Sequence, residues 1–143
     1  MSKAKYLLDV NMLIALLDQD HVHHVRVLNW FSSSSRDWGV CAFSEAGFLR
    51  VATNPKTGMF SIEEASEALD SLVKVSGYRF WPITSGWTSL AEPFYERMFG
   101  HQQVTDAYLL GLAVKEDGVL VTMDKSIRYL AGQRYSRNLL VLE

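Results

Sequence analysis

Four acidic residues each stand where a predicted strand ends or a predicted helix begins. Asp9 ends an apolar run near the start of the chain, and Asp124 ends a β-prone run near its close. Glu45 and Asp106 each lie in the first turn of a predicted helix, on its apolar stripe. In an open parallel sheet, strand ends and helix starts share the carboxyl edge, where ligands usually bind. We therefore expect the four carboxylates to lie close together.

Carboxylates that converge on one point repel one another unless cations lie between them. At an effective dielectric constant near 20, two like charges about 4 Å apart cost about 4 kcal/mol. Oxygen ligands without cysteine or a committed histidine favour Mg²⁺ or Mn²⁺ over zinc. Such an ion completes its coordination with an anionic substrate group, of which phosphate is the most obvious. The four acids thus predict a metal site that could hold a phosphodiester and activate water for in-line attack.

Three closely spaced histidines, His21, His23 and His24, form a second candidate metal site. Residues two apart do not share a helix face, and no cysteine or further histidine cluster completes a closed zinc site. We interpret these histidines as surface or partner-facing side chains.

The elements that position the acids alternate along the chain. Strands are predicted near residues 6–8, 38–43, 79–83, 119–123 and 138–142. Pro82 makes the third of these an edge strand, because proline removes a ladder hydrogen bond. Parallel strands joined by helices predict an α/β fold, a three-layer α/β/α domain with right-handed crossovers and a mainly parallel central sheet.

Helical periodicity predicts the helices between these strands. They lie at about residues 10–17, 22–31, 45–52, 62–76, 85–98 and 104–116, with a helical turn at 126–131. Val22, Val25 and Leu28 are spaced as an apolar helix face. Ser44 is the expected N-cap of the third helix, and Ser61 opens a capping box for the fourth.

Composition places limits on the class of protein. A chain of 143 residues with net charge −2 predicts one domain, residues 1–143, and excludes a strongly cationic nucleic-acid coat. Its single cysteine, Cys41, excludes an intramolecular disulfide bond and fits a reducing compartment. Neither a signal peptide nor a membrane-spanning apolar run is evident. We expect a cytoplasmic protein with no membrane partner.

Four stretches of the chain resemble, in order and spacing, the signature motifs of PIN-domain ribonucleases. They are residues 9–17, Glu45, residues 104–107 and residues 121–124. Two further stretches, Asp18-Gln19-Asp20-His21-Val22-His23-His24 and Arg50-Val51-Ala52-Thr53-Asn54-Pro55, resemble the VapC toxins of bacterial toxin–antitoxin pairs, especially the mycobacterial branch. The resemblance covers essentially the whole chain.

This resemblance implies a Mg²⁺- or Mn²⁺-dependent endoribonuclease that cuts structured RNA such as tRNA or rRNA and so inhibits translation and growth. It implies that the metal-binding and catalytic acids are Asp9, Glu45, Asp106 and Asp124. Asn11 and Thr105 match polar positions that support the acids, and Thr122 matches a hydroxyl near the metal. The family also implies a homodimer and a cognate VapB-type antitoxin.

An RNA substrate also needs basic residues at the rim of an acidic site, because phosphates are held there by positive charge. Residues 125–142 contain basic side chains and no acid. The candidate RNA-binding residues are Arg50, Lys125, Arg128, Arg134 and Arg137.

Other functions remain open on sequence alone. A PIN-fold module that only binds RNA or protein, and a housekeeping PIN nuclease without an antitoxin, are both compatible with the motifs. A phosphoacceptor receiver domain needs an acidic pair after the first strand, and a haloacid-dehalogenase-like phosphatase needs a second aspartate two residues after the first. Val10 and Asn11 follow Asp9 instead, so both classes are disfavoured.

Overall fold

A four-stranded parallel sheet forms the middle layer of the protein in a computed structural model, which describes residues 4–33 and 35–143. The strands are β1 (Lys5–Leu8), β2 (Asp37–Gly39), β3 (Val119–Thr122) and β4 (Leu139–Val141), in the spatial order β2-β1-β3-β4. Each neighbouring pair is parallel. The central strands β1 and β3 therefore end side by side, β1 immediately before Asp9 and β3 two residues before Asp124.

Helices cover both faces of this sheet. They are α1 (Val10–Leu17), α2 (His24–Ser32), α3 (Ala42–Thr53), α4 (Ile62–Leu72), α5 (Trp87–Ala91), α6 (Val104–Lys115) and α7 (Ile127–Ala131). Short 3₁₀ helices lie at Glu92–Arg97, His101–Gln103 and Ser136–Asn138.

Two separate apolar cores give the fold its three layers. Successive strand residues point to opposite faces of the sheet, so Leu7 and Leu120 lie in one core and Leu8 and Val121 in the other. Residues of α5, α6 and α7 complete the first core, and residues of α1, α3 and α4 complete the second. The predicted three-layer α/β/α fold with a mainly parallel sheet is confirmed.

The segment predicted as an edge strand, residues 79–83, is extended but forms no regular strand. Its backbone follows the outer edge of β2 through hydrogen bonds from Arg79 N to Trp38 O (2.9 Å) and from Trp81 N to Val40 O (2.9 Å). The single bridge in this region pairs Trp38 with Tyr78. Every second N–H faces β2, so the nitrogen of Pro82 lies on the outer side, where no strand needs a donor. The predicted strand is wrong, although its edge position is right.

The predicted apolar face of α2 is also wrong. Val22, Val25 and Leu28 are exposed, at 85%, 67% and 40% of their surface, while Val27 is fully buried. The helix begins at His24, two residues later than predicted, and it packs on the core through a different stripe.

Helix boundaries elsewhere follow local capping chemistry. The capping box of Ser61 and Glu64 is formed as predicted. The long helix predicted for residues 85–98 divides into α5 and a 3₁₀ helix, because Pro93 cannot donate the backbone hydrogen bond that an α-helix requires there. Among the described residues, none of the helices is both long and apolar enough to cross a membrane.

Candidate active site

Asp9 lies between β1 and α1 and is almost fully buried, with 6% of its surface exposed. It caps α1, since Oδ1 accepts a 2.7 Å hydrogen bond from Val10 N. Burial raises the pKa of Asp9, the hydrogen bonds from Thr122 and Val10 act to lower it, and the charge of Asp124 raises it further. The fold thus holds a carboxylate where ionisation is disfavoured without a cation.

Asn11 and Thr122 fix the orientation of the Asp9 carboxylate. The Thr122 hydroxyl donates to Asp9 Oδ2 at 2.7 Å. Asn11 Nδ2 donates to Thr122 Oγ1 at 3.0 Å and to Asp9 Oδ2 at 3.4 Å, and Asn11 Oδ1 accepts from Met123 N at 3.1 Å. This network ties the first turn of α1 to the end of β3. The supporting roles that the resemblance implies for Asn11 and Thr122 stay a prediction, and these hydrogen bonds are the contacts through which both side chains would act.

Asp106 lies in the first turn of α6 and faces the same site. Its pKa is raised to about 7, mainly by burial and then by the charges of Asp9 and Asp124. The three aspartates are therefore close enough to influence one another. Half of the Asp106 side chains are protonated near neutral pH when no cation is bound.

Asp124 follows β3 and is the most exposed of the three aspartates. Its Oδ1 accepts hydrogen bonds from Ser126 N (2.9 Å) and Ser126 Oγ (2.7 Å), and its own N–H donates to Thr122 Oγ1 at 3.0 Å. The other carboxylate oxygen is available to a ligand. Sequence analysis missed Ser126, although a serine two residues after an aspartate is a common turn pattern that could have indicated it.

Two cavities meet at the aspartates. The larger cavity has a volume of about 650 Å³ and the smaller one about 320 Å³, and Asp106 and Asp124 line both. The larger cavity also contains Asp9 and side chains of α1, α3 and α6, including Asn11, Ile14, Phe43, Arg50, Thr105 and Tyr108. The smaller cavity is lined by Phe99, Gly100, His101, Gln102, Gln103 and Ser126 in addition. The carboxylates thus lie part-way along a groove.

Glu45 does not line either cavity, in contrast to the expected convergence of four acids. It is half-buried, which raises its pKa, and its charge contributes to the raised pKa of Tyr78. Helix α3 begins at Ala42, three residues earlier than predicted, so Phe43 belongs to the helix. Phe43 and Gly47 face the groove, and Glu45, two residues from each, points about 200° away around the helix.

Ser44 has a structural role that differs from the predicted N-cap. Its hydroxyl is fully buried and donates a 2.8 Å hydrogen bond to Leu8 O. This contact ties α3 to the end of β1. The carbonyl of Leu8, the residue before Asp9, accepts this hydrogen bond, and Asp9 N donates to Val121 O. These two contacts fix the backbone at the aspartate.

Of the predicted basic residues, Arg50 lines the larger cavity. Arg128 instead forms a 2.8 Å ion pair with Glu143, and the Arg134 guanidinium lies 5.2 Å from the ring centre of Tyr135. Lys125, Arg128, Arg134 and Arg137 are exposed and lie outside both cavities.

His21 lines the larger cavity beside Asp9, so a histidine that sequence analysis assigned to the surface faces the site. Its Nδ1 accepts a 3.0 Å hydrogen bond from His23 N. The ring proton of the neutral form is therefore on Nε2, where it can be donated to a ligand. The preceding Asp18-Gln19-Asp20 stretch indicates a turn, but it does not specify that His21 faces the site.

Comparison with known proteins identifies the family. A family model described as PIN domain matches residues 6–133. The chain is 41% identical to ribonuclease VapC38 of Mycobacterium tuberculosis over 131 residues, covering 90% of this chain and 91% of the relative. It is 40% identical to ribonuclease VapC44 of the same organism over 127 residues, covering 87% and 89%. The chain belongs to the VapC ribonuclease family of PIN-domain proteins. The predicted family is confirmed.

A solved VapC-containing structure supports the same fold. The chain superposes with a TM-score of 0.60 on a chain of the VapBC2 complex of Rickettsia felis, bound to a DNA fragment from its promoter. Identity is 15%, and the match covers 96% of each chain. The VapC fold therefore extends over nearly the whole sequence.

The carboxylates of this VapC chain are suited by type to a hard divalent cation. In the part of the chain that the structure describes, no three His, Cys, Asp or Glu side chains are close enough to enclose a metal ion. However, Asp9, Asp106 and Asp124 supply oxygen donors of the kind that Mg²⁺ and Mn²⁺ prefer. Burial raises the pKa of Asp9 and of Asp106, so their ionisation is unfavourable without a cation. The donor set therefore fits an ion completed by water and substrate oxygens.

Proposed function

We propose that this protein is a Mg²⁺- or Mn²⁺-dependent endoribonuclease that acts as the toxin of a toxin–antitoxin pair. The observation that carries the proposal is the groove in which Asp9, Asp106 and Asp124 influence one another's ionisation, in a chain of the VapC ribonuclease family. The proposed substrate is structured RNA such as tRNA or rRNA, and its cleavage in the cytoplasm would inhibit translation and growth. The proposed unit is one domain, residues 1–143.

Asp9, Asp106 and Asp124 are the residues that would supply oxygen ligands to the ion, directly or through bound water, because no three acids of the described residues enclose an ion by themselves. When bound, it would supply positive charge to the scissile phosphate and lower the pKa of the attacking water. The protein's own contribution is orientation: Thr122 and Asn11 fix Asp9, and two hydrogen bonds from Ser126 fix Asp124.

The remaining groups at the groove are suited to binding substrate. Arg50 offers a guanidinium and His21 an imidazole N–H to phosphate oxygens from the wall of the larger cavity. Thr105 offers a hydroxyl on the same wall. Lys125, Arg128, Arg134 and Arg137 remain candidates for longer-range attraction of RNA, because they lie outside the groove.

Glu45 remains a proposed metal-binding and catalytic residue from the family resemblance. A change of side-chain rotamer alone would not bring it to the groove, because its position on α3 faces away from Phe43 and Gly47. Substitution to glutamine tests its role directly. Loss of cleavage with unchanged stability would support a place in the site.

The proposed partners are a VapB-type antitoxin and a second copy of the chain. Family membership supports both proposals. The VapBC2 complex among structures that share the fold supports the antitoxin partner. A search for a small reading frame beside the gene, co-expression with its product, and light scattering of the purified protein would test them.

Cleavage of total cellular RNA by the purified protein tests the proposed activity. We expect discrete fragments with 3′-hydroxyl and 5′-phosphate ends in Mg²⁺ or Mn²⁺. These fragments should disappear in EDTA and with the Asp9→Asn variant. A folded, antitoxin-free protein that binds RNA in EDTA but cuts none in Mn²⁺ would instead be a PIN-fold binding module.

A further inference from the structure

Each of the two cavities that meet at the aspartates has an aromatic wall that the metal chemistry does not use. In the larger cavity, Phe43 and Tyr108 lie with ring centres 4.7 Å apart. In the smaller cavity, Phe99 lies against Tyr129, with ring centres 5.8 Å apart and planes 20° apart. An aromatic pair therefore lies on either side of Asp106 and Asp124.

These rings are more exposed than packing alone explains. Phe43 has 36% of its surface exposed, and Phe99 has 83%. Phenylalanine is normally buried because it gains more from leaving water than most side chains do. Both rings border a groove with carboxylates and polar groups, so the groove combines apolar faces with sites for phosphate.

We propose, on the basis of the nuclease function proposed above, that Phe43 and Phe99 stack on the two bases that flank the cleaved phosphodiester bond. In this arrangement, the scissile phosphate lies at Asp106 and Asp124, one base enters the larger cavity and the next enters the smaller one. Tyr108 lies beside Phe43 on the wall of the larger cavity, and Tyr129 stacks against Phe99.

The chemistry of nucleic acids fits this arrangement. Aromatic side chains bind unpaired bases through their faces, and each such contact contributes about tenfold in affinity. A base can enter such a cavity only when it is not stacked and paired within a duplex. Stacking is tolerant of base identity, so the two rings set the position of the cut more than its sequence.

The test uses a short RNA that the wild type binds and a set of derivatives, each abasic at one position, so that binding alone locates the two contacted bases and cleavage, where it occurs, locates the cut between them. Wild type, Phe43→Leu and Phe99→Leu are compared, and Phe80→Leu is the matched control. Phe80 is 42% exposed and lines neither cavity. Affinity is measured by fluorescence anisotropy in EDTA, and cleavage is measured in Mn²⁺. Circular dichroism verifies that each variant is folded.

We expect Phe43→Leu to weaken binding of intact RNA about tenfold and to be insensitive to loss of one flanking base. The RNA affinity of Phe99→Leu should not fall further when the other flanking base is removed. Wild type and Phe80→Leu should lose affinity with either of these two abasic RNAs. The effect should be on KM, with kcat little changed. Quenching of 2-aminopurine at each position should disappear in the corresponding variant.

Suppose that the wild type cuts RNA but that the losses of affinity from removing a ring and from removing a base simply add. This result would overturn the stacking inference and leave the proposed nuclease function standing. The expected binding pattern in a wild type that cuts nothing in Mn²⁺ would overturn the proposed nuclease function and leave the stacking sites supported. No affinity of the wild type for RNA would overturn the inference.

Discussion

The hydroxyl of Thr122 donates a 2.7 Å hydrogen bond to Oδ2 of Asp9, two residues separated by 113 positions in the sequence. Thr122 is fully buried, and Asp9 nearly so. The bond joins the last residue of β3 to the residue after β1, and it holds the carboxylate at the carboxyl edge of the sheet. The position of Asp9 thus depends on the pairing of the two central strands.

Removal of this hydroxyl should weaken both folding and catalysis. Thr122→Val keeps the shape of the side chain but leaves Asp9 Oδ2 with only the 3.4 Å contact to Asn11. We expect the free energy of unfolding to fall by about 1–2 kcal/mol. We expect cleavage to fall about 10- to 100-fold, as for other groups that orient a metal ligand. Urea denaturation and initial rates measure these effects. Thr122→Ser, the control, should retain most activity; a fully active Thr122→Val would exclude the orienting role.

Asn11→Asp should reveal the need for a cation at Asp9. The new carboxylate can still accept from Met123 N, but it places a second negative charge beside Asp9. We expect the free energy of unfolding in EDTA to fall by about 2 kcal/mol. The loss stays near this value because one of the two carboxylates takes up a proton when the repulsion would cost more. Thermal unfolding should show that Mn²⁺ recovers much of this loss. Asn11→Ala should lose similar stability with and without Mn²⁺. Equal losses for Asn11→Asp in both conditions would argue against a cation near this position.

Asp106 should make the stability of the metal-free protein depend on pH. Its pKa is 3.8 in a free chain and about 7 in the fold, so the folded state binds the proton more tightly. This contribution to stability is complete below about pH 4 and is lost as the pH rises to about 7. Partial exposure of the side chain limits the change to roughly 1–2 kcal/mol.

Urea denaturation in EDTA, from about pH 4 to about pH 8, measures this effect. Asp106→Asn should gain stability relative to wild type as the pH rises, because it has no charge to develop. Glu67→Gln, on the exposed face of α4, is the control and should follow wild type. If the free energies of unfolding of Asp106→Asn and wild type differ by the same amount across this pH range, the fold does not raise the pKa of Asp106.

The sequence predicts the aspartates well because their positions follow from strand order. Asp9 comes directly after one central parallel strand and Asp124 two residues after the other, and Asp106 lies in the first turn of a helix with a clear apolar stripe. These patterns determine where the strands end and the helix begins, so they predict that the three carboxylates lie close together without knowledge of side-chain contacts. Asn11 and Thr122 follow from family resemblance, and their hydrogen bonds are the contacts through which they would support Asp9.

The parts that sequence could not predict depend on helix phase and tertiary packing. Glu45 lies on the side of α3 opposite Phe43 and Gly47, and a hydrophobic stripe does not specify which side of the helix faces the groove. His21 reaches the site because the turn after α1 reverses the chain, which no local pattern specifies. The exposed Val22, Val25 and Leu28 show that apolar spacing on a short helix does not determine which face is buried.

Arg50 should contribute more to RNA binding than Arg128. Arg50 lines the groove, while Arg128 is paired with Glu143 and lies outside it. We expect Arg50→Gln to weaken RNA binding and to reduce the slope of log K against log salt by about 1. Arg128→Gln should have a smaller effect. A combined loss of charge at Arg128 and Arg134 tests whether distant basic residues attract RNA. Unchanged affinity in that variant would exclude them.

Single-turnover cleavage of one defined RNA across a Mn²⁺ titration tests the central claim most directly. Wild type, Asp106→Asn and the exposed-site control Glu67→Gln are compared at equal concentration, with EDTA as the metal-free arm. We predict saturable, Mn²⁺-dependent cleavage by wild type and Glu67→Gln. Asp106→Asn should require more Mn²⁺ and cut at least about 100-fold more slowly. Cleavage that persists in EDTA, or that Asp106→Asn performs as fast as wild type, would contradict a metal-dependent nuclease site built on these aspartates.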